Sequence, residues 1–149
     1  MARRYTVDGQ TAAGTTLTIL ELVAATTTRG WIYDLIVGSD ASPADVATEF
    51  NLIRGTVSGT GSATPTPRAL DGGNPAALLS AKVGTFTGQT KTANTSLMNL
   101  ALNQRATFRW VAPPDGEIVV PATSDNWVGL ESIASGGTPN INASFYWQE

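Results

Sequence analysis

Hydrophobic and polar positions alternate along much of this chain with a period of two. Near the C-terminus Ile141, Ala143, Phe145 and Trp147 alternate with Asn142, Ser144 and Tyr146, the pattern of a strand with one buried face. Trp31, Tyr33, Leu35 and Val37 repeat it, with Asp34 and Gly38 on the opposite side. Residues 50–57, 106–111, 117–120 and 127–133 also read as strands. Residues 16–24, TLTILELVA, are apolar on both faces apart from Glu21. A strand covered on both sides, or one at an interface, carries that pattern.

Turn residues punctuate these runs. In Pro113-Pro114-Asp115-Gly116 proline presets one dihedral and glycine supplies a positive φ. Residues 135–139, SGGTP, do the same before the last strand. Helical signals are thin: a capped turn at Asn74-Pro75, another at Ser42-Pro43, and an ambiguous stretch over 92–104. Short strands joined by such turns predict an all-β, single-domain sandwich of jelly-roll type with long loops, covering 1–149. Residues 1–14 read as an N-terminal arm and 58–77 as a long loop.

Composition narrows the function classes. Charged residues make up only 14% of the chain, and the net charge is −3, which disfavours a nucleic-acid partner. No apolar run reaches the ~20 residues of a helical membrane span. The N-terminus MARRYTVDGQ has no apolar stretch behind its arginines, so it does not read as a signal peptide. The expectation is a soluble protein made in a cytoplasm and stabilised by self-association.

Histidine and cysteine are both absent. That removes His-based triads, thiolate nucleophiles and the common zinc ligands. The acidic residues are scattered, and Asp34, Asp40 and Asp45 lack calcium-loop spacing. Gly55, Gly59 and Gly61 have no following lysine to complete a phosphate cradle, so they read as a flexible loop. No catalytic, cofactor or metal site is expected, and the chain does not read as an enzyme. Trp31 and Trp147 read as core, whereas Trp127 is the tryptophan expected at the surface, where a sugar could stack.

The most distinctive stretch is RGTVSGTGSATPTPRALDGG, from Arg54 to Gly73. Structureless loops beyond about 12–15 residues are uncommon in compact domains. Pro65 and Pro67 hold their predecessors extended, and a stiff segment loses less entropy on docking than a slack one. Seven of the nine basic residues are arginine, the cation favoured at protein interfaces. The candidate partner-binding residues are therefore Arg3, Arg4 and Tyr5 of the arm, with Arg54, Thr60, Thr64, Pro65, Thr66, Pro67 and Arg68 of the loop.

The start MARRYTV, the segment NLIRGTVSGTGSATPTPRALD followed by GGNPAA, and the aromatic end FYWQE together resemble a group of small tailed-bacteriophage virion proteins. Some of these are capsid decoration, or cement, proteins. Residues 83–126 lie outside the resemblance. It implies a homotrimer on the outer surface of the phage head, bound to the major capsid protein and tying neighbouring capsid subunits together. A carbohydrate-binding sandwich and a phage tail or neck component are the alternatives.

Overall fold

A computed structural model describes residues 2–14, 16–93, 96–135, 137 and 139–149. The strands are β1 (Arg4–Ala12), β2 (Leu17–Val23), β3 (Gly30–Asp40), β4 (Ala47–Val57), β5 (Arg68–Ala69), β6 (Ser80–Val83), β7 (Thr90–Lys91), β8 (Met98–Asn103), β9 (Phe108–Val111), β10 (Ile118–Val120), β11 (Trp127–Ser135) and β12 (Asn140–Gln148). No helix occurs among the described residues. The suggested helical turns at Ser42 and Asn74 are bends and turns, and part of the ambiguous stretch 92–104 is β8.

Two antiparallel sheets form a sandwich. The first runs β10-β3-β12-β1-β5, with β9 also on β3; the second runs β6-β2-β11-β4-β7, with β8 also on β4. Outermost strands pair with outermost: β1 with β12, β2 with β11, β3 with β9 and β10, and β4 with β8. Successive pairs fall in alternate sheets, as in a long hairpin rolled upon itself, which is jelly-roll connectivity. Residues 58–97, holding β5, β6 and β7, are an insertion between β4 and β8.

Alternation explains the core. Tyr5 and Val7 of β1, Leu35 and Val37 of β3, and Ile141, Ala143, Phe145 and Trp147 of β12 face Leu20, Leu22, Leu52, Val128 and Leu130 of the other sheet. Tyr5 and Trp147 stack with centroids 5.8 Å apart. The expected face of β3 holds only in part. Asp34 pairs with Tyr146 but Ile32 pairs with Trp147, so Tyr33 is an extra, bulged residue. One inserted residue reverses the alternation. Ile32 is therefore fully buried, and Trp31 and Tyr33 are half-buried on the outer face. Trp31 is not a core residue.

The first residues do not form a free arm. Residues 4–12 pair along their whole length with β12, so the expected arm is a strand inside the first sheet. In the terminal turn 135–139, Gly136 and Thr138 lie outside the described residues.

Trp127, expected at the surface, is completely buried. It packs with Val23 and Ile53 on the outer side of the second sheet, and its Nε1 donates to Val57 O at 2.9 Å. A Cβ at Gly55 would lie 2.2 Å from the indole and 2.4 Å from Thr90 O. At Gly59, where φ is +64°, it would lie 2.5 Å from Thr87 O. These glycines are packing devices that bring the insertion down onto the sheet. Trp127→Ala and Trp147→Ala are each expected to cost about 3–5 kcal/mol in denaturant unfolding; a near-neutral result for Trp127 would show that the insertion closes without it.

Candidate interaction site

After β4 the chain turns across the outer face of the second sheet. Ser58 is buried there, Thr60 pairs with Thr87, and Ala63 pairs with Val83 at the edge strand β6. Both lysines of the chain hold this strap. Lys82 Nζ donates to Ser58 Oγ at 2.6 Å and to Gly59 O. Lys91 Nζ donates to the Glu131 carboxylate and to Thr16 O. Gln89 links two further groups, accepting from Thr18 Oγ1 at 2.9 Å and donating to Glu21 Oε2 at 2.7 Å. Gln89 and Lys91, both in the insertion, are thus tied into a largely buried network; Asn94 and Thr95 lie outside the described residues.

Glu21 is the residue that broke the apolar pattern of β2. It is fully buried, and its Oε1 has no hydrogen-bond partner. Burial pushes its pKa up to about 8, against the opposing pull of the Gln89 hydrogen bond and the Lys82 charge. A protonated Glu21 is thus the form the fold prefers. The apolar character of both faces of β2 follows from cover on both sides, with the second cover supplied by this chain's own strap.

Beyond Ala63 the segment Thr64–Pro67 runs from the second sheet to the first and joins it as β5, where Arg68 pairs with Thr6 and Ala69 with Tyr5. Leu70 N donates to Arg4 O at 2.9 Å. The insertion therefore laces together the two sheet edges on one side of the sandwich. Thr64, Thr66 and Arg68 are exposed, and Pro65 and Pro67 half-exposed. Upstream of Arg68 the segment leaves β1, opening a groove of about 280 Å³ lined by Thr6, Val7, Asp8, Pro65, Thr66 and Arg68. Thr6 Oγ1 lies buried in that lining without a partner.

The fold brings most of the predicted contact residues to this one edge. Arg3 and Arg4 are exposed beside Arg68, and the Arg4 guanidinium lies 5.5 Å from the Tyr33 ring centroid. Tyr5 is not available to a partner: it is fully buried and its hydroxyl donates to Pro75 O at 3.1 Å. Arg54 lies half-buried in β4, in the other sheet from Arg68. Backbone pairing holds the segment at Ala63–Val83 and at Arg68–Thr6. Thr60 is exposed but belongs to the strap on the second sheet.

The opposite edge of the first sheet carries a feature that read only as a turn. β9 and β10 lie in line along β3, and residues 112–117 bulge out between them. Pro113, Pro114 and Asp115 are exposed, the positive φ expected of the glycine falls instead on Asp115 at +60°, and Gly116 N donates to Pro113 O at 2.9 Å. Asp115 and Glu117 make this rigid knob acidic. On the outer face, Arg109 of the edge strand β9 holds Asp34 of β3 through Nε and Nη2. The Tyr33 and Tyr146 rings are inclined at 50°, so they do not form a flat stacking platform.

Among the described residues no group of three or more His, Cys, Asp or Glu side chains comes together to hold a metal, and no helix is long and apolar enough to cross a membrane. No family model matches the chain, and no curated protein matches it.

Glu21 gives a pH test of the strap. A carboxyl whose folded pKa is raised contributes stability that is complete below its ordinary value and declines as pH rises through the folded value. Relative to Glu21→Gln, the wild type is expected to lose stability between 4.5 and about 8, at about 1.4 kcal/mol per pH unit at most. Parallel melting-temperature profiles for the two proteins across that range would contradict a buried, protonated Glu21.

Proposed function

We propose that this chain is a structural virion protein: a decoration, or cement, protein that binds the outer surface of a phage head as a homotrimer and reinforces contacts between neighbouring capsid subunits. The observation that carries the reading is the segment Thr64–Arg68. It is exposed, extended by two prolines, and held at both ends, by the Ala63–Val83 bridge and the Arg68–Thr6 pair. A segment prepaid in conformational entropy suits weak contacts repeated by symmetry, where three copies bind together and avidity multiplies each contact. The family resemblance runs through the same residues and through the N-terminal strand beside them. No chemistry is required of such a protein, only a rigid scaffold and surfaces for the capsid and for its own copies.

The test is co-sedimentation with phage heads assembled without this protein. The wild type should bind at a fixed ratio to capsid subunits and raise the temperature at which the heads break. Thr64→Glu/Thr66→Glu, both on exposed side chains, should weaken attachment by about tenfold or more while the melting temperature of the free protein stays unchanged. A chain that remains monomeric and ignores the heads overturns the reading.

A further inference from the structure

The first sheet carries a groove with arginine beside it at one edge and an acidic knob at the other. At the β5 edge lie Arg3 and Arg68 with the groove beside Pro65, while the Arg4 guanidinium reaches inward over Tyr33. Among the described residues neither Arg3 nor Arg68 forms an ion pair. At the β9–β10 edge stands the knob of Pro113, Pro114, Asp115 and Glu117, whose two carboxylates also have no cationic partner among the described residues.

Both features lie at one height along the strands. Ala112 N donates to Tyr33 O at 2.9 Å, which ties the start of the knob to β3 at Tyr33. Next to Tyr33 in β3, Asp34 pairs with Tyr146, Tyr146 with Thr6, and Thr6 with Arg68. A single cross-strand row therefore runs from the knob to the groove.

Equal height matters for closure. Rotation about an axis leaves every point at its own height, so two different patches can meet in a closed ring only when they share a level. Patches at different levels generate a helical filament instead. An axis running along these strands would carry the knob of one copy to the groove of the next without a rise.

We propose that copies of this chain associate head to tail, the Pro113–Glu117 knob of one protomer seating in the groove between Thr6 and Pro65 of the next, with Asp115 opposite Arg68. The inference rests on the self-association in the reading above and assigns the surfaces that make it. The parts suit one another physically. The knob is fixed by two prolines and an internal hydrogen bond, so it loses little freedom on docking. Asp8 also lines the groove, which directs the incoming carboxylate to the Arg68 end. Arg68 presents a planar fork to that carboxylate, a geometry lysine lacks.

The experiment is charge exchange, read by sedimentation velocity on the full chain. Wild type should form a closed oligomer that weakens with added salt. Arg68→Glu and Asp115→Arg should each weaken association by about tenfold or more through like-charge contact. The double variant, with the pair reversed, should recover most of the wild-type affinity. Both positions are exposed, and unchanged circular dichroism and melting temperature confirm that each variant folds. The proposal falls if wild type is monomeric at all concentrations, if the single variants associate as wild type does, or if the folded double variant does not recover. The two readings separate on phage heads. Association insensitive to these exchanges, by a chain that still binds heads, removes the knob-and-groove interface and leaves the virion reading standing. A charge-reversible oligomer that ignores heads does the opposite.

Discussion

The indole of Trp127 occupies the space that a side chain at Gly55 would need, and the course of the inserted segment follows from that contact. A jelly roll buries one face of each sheet against the other and leaves the two outer faces to water. Here the outer face of the second sheet carries Val23, Ile53 and Trp127 together with Glu21 and Glu131, all buried. Those groups need cover, and the residues after β4 supply it. Gly55 and Gly59 permit the close approach, Val57 accepts the indole N–H, and Lys82, Gln89 and Lys91 bond Ser58, Glu21 Oε2 and Glu131 beneath the cover, leaving Glu21 Oε1 unpaired. A buried charge or amide without such partners would cost more than the burial returns.

Covering that face determines what remains free. Once residues 58–63 are committed to the second sheet, the chain must cross to the first sheet to form β5, and only Thr64–Arg68 spans the gap facing solvent. The surface available to a partner is thus a short, stiff, backbone-anchored segment beside the N-terminal strand. Rigid presentation also separates charge: Arg3 and Arg68 share one edge while Asp115 and Glu117 stand on the other. A chain with low overall charge can in this way hold a marked asymmetry between two sides of one sheet.

Much of the architecture was legible from alternation. Ile141 through Trp147 form a one-faced strand as expected, and of the two readings of β2, double cover or an interface, its burial within this chain corresponds to the first. The misreadings have identifiable physical origins. Trp31 left the core because the bulge at Tyr33 shifts the register by one residue, and nothing in a period-two pattern signals a bulge. Trp127 follows a polar turn and reads as exposed, yet it is buried by residues seventy positions away in sequence. Gly55, Gly59 and Gly61 read as slack, whereas the space and backbone angle at the first two are set by contacts with Trp127 and Thr87. The N-terminal strand escaped notice because Gly9 and its polar neighbours dilute its alternation, although β12 pairs with every residue of it.

By itself the sequence determined the class of fold, the strands with a clear apolar face, and the stiffness of the Pro65–Pro67 segment. All of these are local properties, fixed by side-chain period and by the geometry of individual residues. The tertiary structure alone decided that the long loop splits into a buried strap and an exposed bridge. It also decided that Tyr5 is core while Arg4 is surface, and that Asp115 and Arg68 stand level on opposite edges. Those outcomes depend on which strands pair and in what register, and register is settled by long-range packing of the sheets against each other.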